Sequence, residues 1–372
     1  MPKIQIGQIP FFCMMVLFLF GTAVLLDIGS GAMQDAWLVS LISPLFGGAV
    51  FYLYYYLFTK FPDKSLIEYT KIIWGKYLGS IVGFFYIIYF IYIAARVLRD
   101  FLEMLVISPY FRTSMTTLGI CIILVLIYAV NLGIEVFSRV AVICFVIMLV
   151  SLFVINTMYV IGGYITPDNI VPVLSNGLKP IIHEVFPLGI TVPYGELITF
   201  TMLLPYINNK KKVMKTGLFA IACTGLYLTF NMLMLICVIG PDLIIRSAFP
   251  SLTAVSNINI GDFIQRLDPF IITLMVILGF VKITTFFFCG VMGINQLFSM
   301  KPHVVINYSV GGMILFFSII IASTYQEHLK EGLDIVPYYL HIPFQIVIPF
   351  SLLLTLLMKE KILKKPYKAQ ST

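Results

Sequence analysis

Ten stretches of this chain are almost purely apolar, and each is close to the length a helix needs to cross a hydrocarbon layer. A bilayer core about 30 Å thick takes about 20 residues at 1.5 Å per residue. The stretches are Ile9–Ile28, Ala36–Phe58, Leu78–Leu98, Met115–Val130, Val140–Ile161, Val185–Pro205, Leu218–Ile239, Pro269–Phe298, Val304–Ala322 and Ile342–Met358; they are called spans 1 to 10. Spans 4 and 10 are short, and span 8 is longer than a perpendicular helix requires, so it is expected to tilt or project. Composition excludes the soluble alternative. Of the residues, 60% are hydrophobic and 11% charged, against roughly 45–50% and 25% in soluble domains. Such a chain has too little polar surface to face water. Disorder is excluded as well, since 32 Phe and 21 Tyr are far more than a disordered chain carries. The first apolar stretch lacks a cleavable secretory pattern. The expected fold class is therefore all-α integral membrane, a single transmembrane domain over residues 1–372 with ten helices.

The net charge of +7 is informative through its placement. Lys60, Lys64, Lys71 and Lys76, Arg139, Lys210, Lys211, Lys212 and Lys215, and Lys301 fall in alternate loops together with Lys3 and the basic tail 359–372. The opposite loops hold fewer cations. Basic residues mark the cytoplasmic side, so both termini are expected there, and the charge needs no nucleic acid to explain it. The outer connections 162–184, 240–268 and 323–341 are long and mixed in charge, and are expected either to cover an outward-facing cavity or to be passive connectors. Asp27 and Asp35 bracket the first outer loop and are expected in the headgroup region. All six cysteines lie in apolar runs without metal spacing and read as small buried hydrophobes.

Within hydrocarbon every backbone polar group must be satisfied, so a broken helix is tolerated mainly where it lines a cavity. Two spans carry the elements of a break. Span 1 has Gly21-Thr22 near its middle. Span 6 reads Pro187-Leu188-Gly189-Ile190-Thr191-Val192-Pro193-Tyr194-Gly195-Glu196 and is expected to unwind near Pro193, because proline removes a donor and clashes with the preceding turn. Breaks in the first helix of each five-span half are the mark of an inverted-repeat transporter fold with its site at the midplane. The repeats would cover about 9–161 and 185–358. Freed N–H groups suit a carboxylate and freed carbonyls an ammonium, so a zwitterionic amino acid fits such a site. Ionisable residues inside spans mark function by default. Glu196 lies in span 6 and Lys282 in span 8, the latter sharing a helix face with Thr285. The partner of Lys282 is expected among Glu196, carbonyls of the span 1 break, or water; in the sharpest form its ammonium stands where a sodium ion stands in sodium-driven carriers. Arg96, Arg99, Asp100 and Glu103 at the outer end of span 3 are expected to form an interfacial network with snorkelling arginines. Tyr86, Tyr89, Phe90 and Ile93 lie at helical spacing on the same span, as pocket wall or as packing.

No catalytic, metal or cofactor signature is present, and the four histidines are scattered over loops and span ends. The residues do carry a family resemblance. Gln34-Asp35-Ala36-Trp37, Arg99-Asp100-Phe101-Leu102-Glu103-Met104, Asn169-Ile170-Val171-Pro172-Val173-Leu174, Pro193-Tyr194-Gly195-Glu196, and Lys282 followed by Gly293-Ile294-Asn295-Gln296-Leu297-Phe298 stand in an order and spacing that resembles the GerAB-like family. These are the B subunits of the nutrient germinant receptors of bacterial endospores, relatives of the amino acid/polyamine/organocation transporters. The chain departs from the family at Asp27-Ile28, where Leu-Pro is common, and at Tyr194, where Phe is usual. The resemblance implies a LeuT-like bundle in the spore inner membrane, acting with an A subunit and a lipoprotein C subunit. It implies a germinant pocket lined by Gly21, Thr22, Tyr89, Ile93, Val192, Pro193, Tyr194, Gly195, Thr284 and Thr285, with Glu196 and Lys282 as the intramembrane charges. The function expected is binding of a neutral amino acid and signalling to those partners. The alternative is an active carrier of an amino acid, coupled to protons through Glu196.

Overall fold

A computed structural model describes residues 5–363 except 27, 109, 261–263 and 266–267. Asp27 and most of the basic tail lie outside the described residues. Among those described, nine helices are long and apolar enough to cross a bilayer: Gln8–Leu26, Ser30–Lys60, Lys76–Ile107, Met115–Leu132, Ile134–Ile161, Lys179–Met202, Lys210–Ile239, Asp268–Leu297 and Pro337–Ile362. The remaining span is Val304–Ile320, which bends by 109° into Tyr325–Ile335. They correspond in order to the ten predicted spans, and the chain is a multi-pass membrane protein.

Local chemistry accounts for the joints between helices. Gly133 at φ 87° alone joins spans 4 and 5, a left-handed turn that a side chain would strain. Between spans 2 and 3, Ser65 caps the short helix Leu66–Trp74 in a capping box with Glu68. Its hydroxyl also meets Gln296, and the Lys71 ammonium reaches the carbonyls of Gln296 and Leu297 at the end of span 8. The three long connections hold regular structure. The second carries helices Pro241–Arg246 and Pro250–Ser256 and a two-residue hairpin pairing Asn259 with Gln265 and Ile260 with Ile264. The third is the bent helix Tyr325–Ile335, and the first ends in the opening turn of span 6.

Spans 1, 3, 6 and 8 are the most buried, whereas spans 2, 4, 5 and 10 present much of their surface outward. Exposed Phe84, Phe85, Phe153 and Phe316 suit contact with lipid rather than water. Span 1 packs on spans 5, 7 and 8, and span 3 runs along span 8. Within that core span 1 corrects one expectation. It is a continuous α-helix from Gln8 to Leu26, with no break at Gly21-Thr22. The glycine has a packing reason instead. A Cβ on Gly21 would lie 2.6 Å from Cδ of Lys282, so the missing side chain is what admits the lysine stem.

Candidate functional site

The break in span 6 is where expected. Phe186 and Val192 have extended backbone, and each precedes a proline, whose ring disfavours helical geometry at the residue before it. Beyond Val192 the chain resumes as a tighter 3-10 helix, Gly195–Met202. This places Glu196 inside the bundle, 2% exposed, opposite Lys282, which is fully buried. Nζ of Lys282 donates to Oε2 of Glu196 at 2.5 Å and to the Thr22 hydroxyl at 2.6 Å, and lies 5.1 Å from the centre of the Phe18 ring. The lysine thus ties spans 1, 6 and 8 together through a carboxylate, a hydroxyl and an aromatic face. It does not bridge backbone carbonyls of span 1, because that helix is unbroken and keeps its carbonyls in its own hydrogen bonds.

Next to this pair is a chamber of about 50 Å³, room for a few waters. Thr22, Ile93, Val192 and Glu196 line it, joined by Arg96, Asp100, His328 and His341. Outside it lies a vestibule of about 400 Å³ whose walls include Ser30, Gly31, Glu184 and Asp334. Leu26, Leu188 and Leu333 line both spaces, so three leucines from spans 1 and 6 and the bent helix form an apolar septum between them.

The polar groups at the outer end of span 3 differ from the expectation. Arg96, Arg99, Asp100 and Glu103 are all buried rather than snorkelling, because the bent helix Tyr325–Ile335 covers them. Arg96 Nη1 meets Glu331 at 3.1 Å and the Tyr92 hydroxyl at 3.2 Å, and its Nη2 donates to the His328 carbonyl at 2.6 Å. Gly332 makes room for that guanidinium, since a Cβ there would lie 2.5 Å from Nη2. Nε2 of His328 is 2.9 Å from the Asp100 carboxylate. Arg99 pairs with Glu103 and caps the carbonyls of Ser318 and Ile319 at the end of the first limb of span 9, where a cation is favoured. On the other side of the chamber, the Tyr89 hydroxyl is 2.8 Å from Nδ1 of His341 and accepts from the Gln345 amide at 2.8 Å. The Tyr54 hydroxyl lies between the carbonyls of Gly195 and Gln345, 2.9 and 2.7 Å away.

The residues singled out from sequence therefore separate into groups. Thr22, Ile93, Val192 and Glu196 meet at the chamber. Lys282 holds Glu196 from behind, and Gly21 accommodates its stem. Val192, Pro193 and Tyr194 border a second, smaller cavity of about 30 Å³ between spans 2, 6 and 7. Gly195 packs on the Gln345 amide, and Tyr89 stacks on Phe344 with ring centres 4.9 Å apart. Thr285 turns its hydroxyl onto the Val281 carbonyl; the buried Thr284 hydroxyl has no partner among the described residues. Neither threonine lines the chamber. Arg96, Asp100, His328 and His341 do, and were not chosen as lining residues. The signal available for His341 was its placement four residues before Gln345, on one helix face. Among the described residues no group of three or more His, Cys, Asp or Glu could hold a metal ion.

Comparison with known proteins now becomes informative. A family model described as "Spore germination protein" matches residues 4–326. The chain is 38% identical over 361 residues to spore germination protein KB of Bacillus subtilis (strain 168), covering 97% of each chain. It is 26% identical over 334 residues to the putative spore germination protein YfkT, covering 89% of each, and 24% identical over 281 residues to spore germination protein YndE, covering 72% and 73%, both of the same organism.

Proposed function

The chain belongs to the spore germination protein family, and on that premise we propose that it is the nutrient-binding membrane subunit of a germinant receptor. It takes a small nutrient, a neutral amino acid, into the midplane chamber, and ligand-dependent closure biases the A subunit and the lipoprotein C subunit beside it. It works in the spore inner membrane with both termini on the cytoplasmic side. The observation that carries this reading is the chamber at the span 6 break, lined by the carboxylate of a buried ion pair and separated from the vestibule by leucines. Intramembrane charge around a broken helix is costly, and function is its usual reason.

The reading includes one transmembrane domain built as a 5+5 inverted repeat, about 9–161 and 185–358, now with a single broken helix. Its support is reciprocal packing. Spans 2 and 7, 3 and 8, and 4 and 9 contact one another, as equivalent helices beside a pseudo-two-fold axis must. Span 1 packs on span 7 and span 6 on span 2, and span 1 packs on span 5 as span 6 does on span 10. A nutrient can shift the receptor only by its differential affinity for the two states, so closure around the ligand has to form contacts that the open state lacks.

The carrier reading would require the inner end to open as well. At that end the backbone is paired: Ile6 bridges Ile207, its N–H bonding the Tyr206 carbonyl at 2.8 Å and its carbonyl accepting from Asn208 at 3.1 Å. The deciding experiment uses the chain alone in proteoliposomes. Saturable amino acid binding without uptake is expected; concentrative uptake would make the chain a carrier. Affinity capture from solubilised spore membranes should recover a larger membrane subunit and a lipoprotein in comparable amounts.

A further inference from the structure

Two buried histidines line the chamber, and their hydrogen bonds fix where each ring carries its proton. An ionised carboxylate only accepts, so the contact from His328 Nε2 to Asp100 at 2.9 Å puts the His328 proton on Nε2. In the neutral ring Nδ1 is then a bare acceptor. It is buried and has no hydrogen-bond partner among the described residues, a costly condition for a polar atom, and it belongs to a residue that lines the chamber. His341 is arranged the other way. The Gln345 amide nitrogen, which only donates, lies 2.8 Å from the Tyr89 oxygen and 3.1 Å from His341 Nδ1, and the Tyr89 hydroxyl is 2.8 Å from the same Nδ1, so Nδ1 is the acceptor. With Nδ1 accepting, the His341 proton is on Nε2, the donor that ring can offer to the chamber. The other charges are committed. Arg96 is taken up by Glu331, Tyr92 and the His328 carbonyl, and Glu196 by Lys282.

We propose that the chamber imposes a polarity on its ligand, with the ligand's ammonium on Asp100 and His328 and its carboxylate on His341. This rests on the amino acid reading above and adds which end of the ligand goes where. The acceptor end combines a carboxylate and a bare imidazole nitrogen, which suits a cationic donor. The donor end offers an N–H held in one tautomer by Tyr89 and Gln345, which suits an anion.

The test uses the full chain in nanodiscs. Each of the twenty proteinogenic amino acids is screened for binding, and the tightest is compared with its des-amino carboxylic acid and its decarboxylated amine. In the wild type each analogue is expected to bind about tenfold more weakly or worse, the loss of one charge-assisted hydrogen bond. His328→Phe should weaken the amino acid and the amine by about tenfold and leave the carboxylic acid unchanged. His341→Phe should weaken the amino acid and the carboxylic acid and spare the amine. If His328→Phe does not fold, Asp100→Asn and His328→Asn are read in the same way. Equal losses for all three ligands, the opposite pairing, or an amine that binds the wild type as tightly as the amino acid would each overturn the proposal. Absence of binding by any amino acid would overturn the proposal and the amino acid reading together.

Discussion

Lys282 and Glu196 were legible because a charge inside an apolar run has few innocent explanations. Glu196 was one of three partners the sequence left open for Lys282, beside span 1 carbonyls and water, and the structure selects it. Thr22 was found for a mistaken reason: Gly21-Thr22 suggested a break, whereas the glycine makes room for the lysine and the threonine hydrogen-bonds it. His328 and Glu331 could not be connected to span 3 from sequence, because the contacts join residues more than 200 positions apart and periodicity carries no information about such partners. The pair itself makes a sharp prediction. Removing one member leaves a buried uncompensated charge, at a cost of about 3–5 kcal/mol, whereas removing both avoids that penalty. Lys282→Met and Glu196→Leu should each lower the thermal midpoint of the solubilised chain markedly, and the double variant should recover most of the loss. If the double variant loses as much as the two single variants added together, the pair is not coupled in the way described.

At the scale of elements, hydrophobic length placed all ten spans, and the proline positions placed the span 6 break. Helix ends were less legible, because helices project past the apolar runs: span 3 begins at Lys76, two residues before the predicted start, and continues to Ile107. The bend of span 9 was missed because Tyr325–Ile335 is too polar to read as part of a span. Glu331, the His328 carbonyl and His328 Nε2 are paired by Arg96 and Asp100 of span 3 instead. The Tyr54 hydroxyl ties the carbonyl of Gly195 beside the break to that of Gln345 in span 10. Tyr54→Phe removes the single hydroxyl proton that these two buried carbonyls share and should cost about 1–3 kcal/mol, seen as a lower unfolding midpoint and faster hydrogen exchange around 190–200. An unchanged exchange pattern would remove Tyr54 from the break's support. Gly133→Ala should cost about 1–3 kcal/mol, because positive φ with extended ψ is open essentially to glycine alone, measured by thermal unfolding, with no effect on ligand affinity.

At the scale of the whole molecule, the described residues form a bundle around a small chamber, with three leucines between the chamber and the vestibule and a backbone bridge from Ile6 to Ile207 at the opposite end of span 1. The leucine septum should limit the rate of entry more than the affinity. Leu333→Ala is expected to speed association and dissociation together, leaving Kd within about threefold, as stopped-flow binding would report; a large change in Kd alone would place Leu333 in the ligand site. The central claim, that the chamber at the span 6 break holds the nutrient which drives the response, is tested most directly by filling it. The measurement is the nutrient dose–response of spores carrying Ile93→Phe at normal protein levels. The account predicts a half-maximal concentration raised about tenfold or more, as expected for overpacking of a tight site, with the response at saturation retained. An unchanged half-maximal concentration would contradict it and place the nutrient elsewhere.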